Sequence, residues 1–500
     1  MNVKKGVKNI AYSIIGQIIA MALGILVPRL VIVSYGSEVN GLLNSVSQII
    51  TYLSLLEAGV GAAALQALYK PISDNDTDSM NAIISATHRY YRRTGALYFL
   101  FTVVLSFIYP LIINSTLDYW FIALIVFVCG VPNVINFFFQ GKLKILLNAT
   151  GDNYVVTNLN TVTSTLATAS KIVLLMLGAN VILVQTIYCV ISLVHMIFIY
   201  AYVKKKYPWV NVNVEPNNDA LSQKNSTLIH QICMLVTNST DVLLLSIFCD
   251  LKVVSIYAVY NMIFSLVYNI SNSVNSGVQF ILGNAYCKGK EYYTRVIDVY
   301  ETYYMGLCSA LMAVTCILIL PFLRLYTAGA DINYIDVWLP MLFAATELLR
   351  AMRSSAINTI SVSGRFKETR NYAIIEAAIN FSVSIATVHW LGLYGVLLGT
   401  VIAFLYRNVT SIHYSNVKIL GRNSLHSVKI AIVNVGLVAV VGIIFSFITL
   451  EISNYLKWFL YAVPILLVAV IVFAVANSLV SPTSFVELLS YLKRKIKKNR

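Results

Sequence analysis

Charge is what this sequence has least of. Only 11% of its 500 residues are Asp, Glu, Lys or Arg, against about 25% in a soluble globular domain, whose surface must face water. With 58% apolar residues and a mean hydropathy of +0.76, too little polar surface remains to wrap a water-soluble body. Most of the surface must be offered to lipid. Cysteine gives no framework either. The seven residues are odd in number, lie mostly within apolar runs and form no C-x-x-C pair, which supports neither a disulfide scaffold nor a zinc site. There is no Walker A motif for ATP hydrolysis, no polar stretch long enough for a soluble catalytic domain, and no cofactor is expected.

What the chain does have is long apolar runs. Fourteen lie near 10–34, 42–68, 94–113, 119–140, 154–177, 181–203, 227–249, 254–281, 302–325, 334–360, 370–391, 393–416, 428–450 and 455–478. A spanning helix needs about 20 apolar residues, whereas membrane barrel strands are about ten residues long and alternate. These runs are therefore helices. The first follows Lys4, Lys5 and Lys8 but is longer than a signal-peptide core and has no A-x-A site after it, so it is expected to remain as a span.

The basic residues orient the spans. Numbering the connections alternately from the N-terminus places 28 Lys and Arg on side one, 3 on side two and 5 inside spans, which accounts for all 36. By the positive-inside rule side one is cytoplasmic, and an even number of spans puts both termini there, in the cell membrane. The tail Lys493, Arg494, Lys495, Lys497, Lys498 and Arg500 then reads as a juxtamembrane patch for anionic lipid, not as a nucleic-acid arm. Connections on side two are very short, so any function lies within the bilayer or at its faces.

The chain also repeats itself. Gly151-Asp152-Asn153 opens a polar-rich span that closes at Leu177-Gly178, and Gly364-Arg365-Phe366 opens one that closes at Leu391-Gly392, offsets of 213 and 214 residues. Spans one to six thus pair with spans seven to twelve. Six is even, so both copies share one orientation, as in parallel-repeat transporters. The expected plan is an N-lobe at 1–206, a linker at 207–226, a C-lobe at 227–420, two further helices at 421–480 and a basic tail at 481–500.

Polar residues within spans fall in helical stripes. Asn261, Ser265, Tyr268, Asn272, Asn275 and Gln279 step by three or four over five turns, Asn160, Ser164, Thr168 and Lys171 do the same in span five, and span four carries Asn133, Asn136 and Gln140. Small hydroxyls alone can be glue between packed helices. Five turns of Asn, Gln and Tyr on one face reads instead as the wall of a wet cavity. Nine charges, Arg29, Lys171, Arg350, Arg353, Arg407, Glu57, Asp241, Glu347 and Glu376, lie within spans. At roughly 3 kcal/mol each they would cost on the order of 25 kcal/mol unpaired, more than the about 5–15 kcal/mol of a native state. They must be paired or wet. Glu347 and Arg350 are spaced to pair on one helix, and Arg353 and Arg407 are placed to snorkel. Arg29 and Lys171 have no carboxylate on their own helix, which makes them the sharpest candidates for an anionic ligand. A guanidinium grips phosphate oxygens bidentately and an ammonium acts as a point charge. Lone histidines such as His195 read as interfacial.

With Lys5 to Gly16 (KGVKNIAYSIIG), Gly36 to Asn44 (GSEVNGLLN), Leu55 to Gly61 (LLEAGVG) and a 6 + 6 + 2 plan of spans, the whole chain resembles the multidrug/oligosaccharidyl-lipid/polysaccharide exporter superfamily, in particular its Wzx-type polysaccharide branch. The resemblance implies an all-α, polytopic, MATE-like membrane fold with two six-helix lobes around a central cavity and two appended helices. It implies a flippase, not an enzyme. The cargo would be undecaprenyl-diphosphate-linked oligosaccharide repeat units, moved to the outer leaflet by alternating access. Expected partners are this glycan, membrane lipid and a polysaccharide polymerase with its chain-length regulator. The diphosphate is expected at Arg29, Lys171, Arg350, Arg353 and Arg407, sugar at Asn261, Tyr268, Asn272 and Gln279, and coupling protons or ions at Glu57, Asp241 and Glu376. A lipid II flippase, a drug or cation antiporter, and a membrane polymerase or glycosyltransferase are the alternatives. A basic cavity fits the antiporter poorly, and the short side-two connections fit the enzymes poorly.

Overall fold

The computed structural model of the chain describes residues 23–54, 60–217, 224–446 and 452–498. Every regular element among them is a helix, as a chain that must satisfy its backbone inside lipid requires. The helices are α1 (Leu23–Tyr35), α2 (Ser37–Leu53), α3 (Val60–Ser73), α4 (Thr77–Ile112), α5 (Tyr119–Ile135), α6 (Gly141–Ala149), α7 (Asn153–Met176), α8 (Val181–Lys206), α9 (Lys224–Phe248) and α10 (Leu251–Cys287). They continue as α11 (Lys290–Tyr326), α12 (Leu339–Met352), α13 (Ser354–Val362), α14 (Phe366–Leu391), α15 (Leu393–His413), α16 (Leu425–Ser446), α17 (Tyr455–Val480) and α18 (Pro482–Lys498).

Ten helices among the described residues are long and apolar enough to cross a membrane, where the sequence suggests about fourteen spans. The span expected at 334–360 is cut at Arg353 into α12 and α13. The spans expected near 10–34, 42–68 and 227–249 each include residues whose backbone or side chains lie outside those described.

The chain divides into two compact units, residues Met1–Ser255 with Ala330–Ile332, and Ile256–Gly329 with Asn333–Arg500. In the first unit one apolar cluster gathers around Tyr91, Tyr98 and Phe137, and another around Leu42, Val46, Ile125 and Leu251. Gly141 lets α6 approach Tyr91, since a Cβ there would fall 2.3 Å from the ring. The start of the linker is pinned to α4: Asn81 donates to the Trp209 carbonyl at 3.1 Å and Ser85 to that of Val214 at 2.8 Å. At the opposite end Glu38 accepts from Ser115 and from the Thr116 amide, and Asp331 accepts from the amide and hydroxyl of Ser37.

The second unit is built on α11, the most enclosed of its spans. Phe343 of α12 stacks on Tyr260 and Phe264 of α10. The tightest helix pair is α14 with α15, where Gly395 and Gly399, one turn apart, face Thr387 and Ser384. Small residues at that spacing let backbones meet where lipid supplies no hydrophobic drive. A Cβ on Gly399 would lie 2.2 Å from Ser384 Oγ. Asn434 of α16 and Asn477 of α17 exchange amide hydrogen bonds of 2.7 and 2.9 Å, with Asn477 packed against Gly306 of α11. Trp458 adds an indole bond to the Leu318 carbonyl at 3.1 Å.

The repeat read from the sequence has a backbone counterpart. Gly151 and Gly364, ahead of α7 and α14, have φ of 80° and 70°, and Gly178 and Gly392, ahead of α8 and α15, have 71° and 52°. All four occupy the left-handed region that a side chain disfavours. A second match lies one span earlier. A π-helical turn at Asn136–Gln140 interrupts α5–α6, and the α12–α13 break at Arg353 falls 217 residues after Asn136.

Candidate functional site

The interrupted helices carry the polar chemistry of both units. In the first, the Pro132 that follows the body of α5 leads into the π-turn, a distortion often found at functional sites. The wider turn carries Asn136 and Gln140, with Asn133 just ahead, to a pocket of about 850 Å³ between α5, α7 and α8. Asn160 and Thr163 of α7 and Ser192 and His195 of α8 complete it. Asn133 donates to Tyr98 at 3.1 Å, and Gln140 to the Ser192 carbonyl at 3.3 Å. Lys144, which the sequence places in a basic connection, continues on α6 and donates to Asn136 at 2.8 Å. His195, read from the sequence as interfacial, is 6% exposed, and its Nδ1 lies 3.0 Å from Thr163 Oγ1. The signal that finds it is the spacing of Tyr188, Ser192 and His195, which puts all three on one face of α8.

Lys171 of α7 stands next to this pocket. Its ammonium donates to Gln185 at 3.2 Å and lies 4.9 Å from the centre of the Tyr188 ring. Both contacts are neutral. Arg29 of α1 is half-buried, and Asp241 of α9 is buried, both in the first unit. Glu57 lies outside the described residues.

In the second unit the corresponding break carries charge. Glu347 and Arg350 of α12 pair at 3.7 Å across one helical turn. Arg353, at the joint with α13, hydrogen-bonds Glu376 of α14. Arg407 of α15 approaches the other oxygen of Glu376 at 3.6 Å and donates to the Thr369 carbonyl at 3.2 Å. Glu376 is thus held between two guanidiniums from two other segments. Aromatic rings complete the setting: Arg350 lies 4.8 Å from the ring centre of Tyr268, and Arg353 lies 4.4 Å from that of Phe404. Three guanidiniums thus gather around Glu347 and Glu376. Arg350 and Arg353 are the more accessible cations, their side chains 26% and 18% exposed against 10% for Arg407.

The stripe on α10 divides. Tyr268 joins the arginine network, while Asn261 and Asn272 are half-buried and Gln279 is exposed. Asn275 is taken up in packing, its carbonyl oxygen accepting from Tyr300 at 2.5 Å and Asn358 at 2.8 Å.

One further polar cluster has no counterpart in the sequence reading. Asp298 and Glu301 of α11 and His426 of α16 bring their ligand atoms within 4.8 Å of one another. The cluster already contains a cation, because Arg422 Nη1 lies 2.6 Å from Asp298. It ties the turn before α16 to α11.

Comparison with known proteins locates this architecture. The MatE family model matches residues 227–386. No curated protein matches the sequence. Among solved structures, the lipid II flippase MurJ in its inward closed conformation is 15% identical with a TM-score of 0.71, covering 94% of this chain and 99% of its own. An inward-facing multidrug resistance MATE family transporter of the MOP superfamily is 15% identical with a TM-score of 0.60, covering 82% of this chain and 98% of its own. A MOP superfamily transporter from Pyrococcus furiosus, described as having a binding pocket of reversed polarity, is 16% identical with a TM-score of 0.52, covering 83% and 97%. The chain is a multi-pass, all-helical membrane protein with the fold shared by MurJ and the MATE transporters.

Proposed function

We propose that this chain is a flippase of the multidrug/oligosaccharidyl-lipid/polysaccharide exporter superfamily. Its proposed cargo is a polyprenyl-diphosphate-linked oligosaccharide repeat unit, moved from the cytoplasmic to the outer leaflet by alternating access for surface polysaccharide synthesis. The observation that carries the reading is the arginine network of the second unit, with three guanidiniums among spans, two of them partly exposed. A fixed cation at bilayer depth is expensive and is retained where an anion visits. A diphosphate is such an anion, and Arg350 and Arg353 can receive it, with Arg407, Arg29 and Lys171 as further cations. Amides and tyrosine suit sugar hydroxyls, which gives Asn261, Tyr268, Asn272 and Gln279 their proposed role, and the polyprenyl tail can stay in lipid.

Within this reading Glu376 is the internal counter-charge. An arriving diphosphate competes with it for Arg353, so cargo binding and rearrangement of the network are one event. Glu57 and Asp241 remain the other proposed coupling carboxylates. The test is surface polysaccharide in cells lacking their own repeat-unit flippase and supplied with this chain. Arg350→Ala and Arg353→Ala are expected to lower export at least tenfold at unchanged membrane level. Normal export in both, and in Arg29→Ala and Lys171→Ala, overturns the anion-grip reading.

A second cargo, lipid II, is favoured by the likeness to MurJ over nearly the whole chain. Rescue of cells depleted of lipid II flipping, without rescue of polysaccharide export, would assign that cargo instead. A cationic drug is disfavoured by the same accessible guanidiniums.

A further inference from the structure

The second unit contains an apolar groove that the transport reading leaves unused. Its walls are Val274, Val278 and Ile281 of α10, Val296 and Tyr303 of α11, and Leu488 of α18, around about 1380 Å³ of unfilled space. Val274 and Ile281 are 42% and 48% exposed. At 100° per residue the face carrying Val274, Val278 and Ile281 is turned by roughly 125° from the stripe carrying Asn272, Asn275 and Gln279. The α10 wall of the groove is therefore a different face from the polar stripe, and Tyr300, which also lines the groove, stands between the two with its hydroxyl on Asn275.

The α18 wall is fastened on purpose-made contacts. Ser484 meets Thr302 at 3.3 Å, Glu487 pairs with Arg295 at 3.5 Å, and Ser478, at the end of α17, meets Tyr303 at 3.0 Å. Two cations stand beside the lining: Arg295 pairs with Glu487, and Lys288 sits 5.3 Å from the ring centre of Tyr292, both partners lining the groove. From Tyr491 the sequence runs on through Lys493, Arg494, Lys495, Lys497, Lys498 and Arg500. A greasy slot with cations beside its lining matches a molecule with an apolar chain and one anionic head. Polybasic segments of this kind gain about 1 kcal/mol per cation at an anionic lipid surface.

We propose that this groove is the site of one resident anionic phospholipid, one acyl chain lying between α10, α11 and α18 and the phosphate at the rim beside Lys288 and Arg295. The lipid fastens α18 to the membrane-embedded body of the second unit. This assignment stands independently of which cargo is transported.

The experiment uses the full chain in detergent, with phosphatidylglycerol, phosphatidylcholine and undecaprenyl phosphate as probes, read by thermal unfolding and by native mass spectrometry. Phosphatidylglycerol is expected to raise the unfolding midpoint and to saturate at one molecule per chain, while phosphatidylcholine does neither. Val278→Trp/Val296→Trp fills the slot and should abolish the retained lipid; Ile281→Trp, at a more exposed wall position, serves if the double variant does not fold. Changing Lys288 and Arg295 to Gln should raise the half-saturating concentration about tenfold. Equal retention of both phospholipids, retention by the folded slot-filled variants, or occupancy by undecaprenyl phosphate in preference to phosphatidylglycerol overturns the proposal. None of these results depends on transport, so its failure is distinct from failure of the flippase reading.

Discussion

Two regions of this molecule occupy the same place in its repeat and use different chemistry. Where the first unit interrupts α5–α6 it gathers amides, hydroxyls, His195 and the ammonium of Lys144 around a pocket. Where the second interrupts α12–α13 it gathers Arg350, Arg353, Arg407, Glu347 and Glu376. The position of Thr163 in α7 corresponds, 213 residues on, to that of Glu376 in α14. One copy handles polarity in lipid with hydrogen bonds to neutral partners, which are inexpensive. The other uses buried ion pairs, whose desolvation cost can exceed their attraction. A duplicated helical frame can therefore hold two electrostatic environments without changing its backbone plan.

The contrast is sharpest if each centre is disarmed in turn. Glu376→Ala leaves Arg353 and Arg407 without their shared carboxylate, and breaking a buried pair typically costs about 3–5 kcal/mol. Thermal unfolding in detergent should show this as the largest loss in the series, whereas Thr163→Val in the first unit should cost about 1 kcal/mol. Equal losses would erase the distinction between an ion-paired centre and one held by neutral partners.

The helix pairs flanking the two centres offer the next test. Gly399, set against Ser384, corresponds to Gln185 in the first unit, which faces Lys171 instead of a neighbouring backbone. Gly399→Leu should destabilise by about 1–3 kcal/mol through overpacking. Gln185→Leu, where a side chain is already accommodated, should move the unfolding midpoint much less. Transport gives a third comparison. Arg350→Ala should depress export at least tenfold and Asn136→Ala only a few-fold, measured at matched membrane levels. The reverse order would move the anion site to the first unit.

The smallest expected effect is acid sensitivity of the first unit. Burial pushes the Glu38 carboxyl up, but hydrogen bonds from Thr116 and Ser115 and the charge of Lys252 outweigh it and hold the pKa below the usual value. Asp331 is likewise lowered: burial opposes, and the two bonds from Ser37 prevail. A carboxylate whose folded pKa is depressed contributes stability above its unfolded pKa and loses it as pH falls through the folded value. Glu38 is half-buried and Asp331 exposed, so solvent screening holds each contribution to about 1 kcal/mol or less. Limited proteolysis of the loop after α4 should accelerate as pH drops below about 4, and Glu38→Gln should flatten that dependence.

Much of the architecture was legible in the sequence because it depends on one-dimensional quantities. Apolar run length defines a spanning helix, and the paired glycines at a fixed offset reappear with positive φ ahead of α7, α8, α14 and α15. The Glu347–Arg350 pair was legible because it lies on one helix. The bridge from Arg353 through Glu376 to Arg407 was not, since it joins three segments and no periodicity within one helix encodes a partner on another. Lys144 and His195 were missed for a related reason. The π-turn at Asn136–Gln140 re-aims everything after it, and no single residue in NFFFQ announces such a turn. Asp298, Glu301, Arg422 and His426 come from α11 and a turn more than a hundred residues later.

The reciprocal amides of Asn434 and Asn477, locked against Gly306, have a practical corollary. Side chains such as Leu467 on the outer surface of α17 are well exposed, yet their helix is coupled to α11 through that polar clamp and the Trp458 indole. A spectroscopic probe attached at Leu467 would sit on that exposed face and still travel with the helix at the heart of its unit, so it could report displacement of α11 without altering any residue of the arginine network.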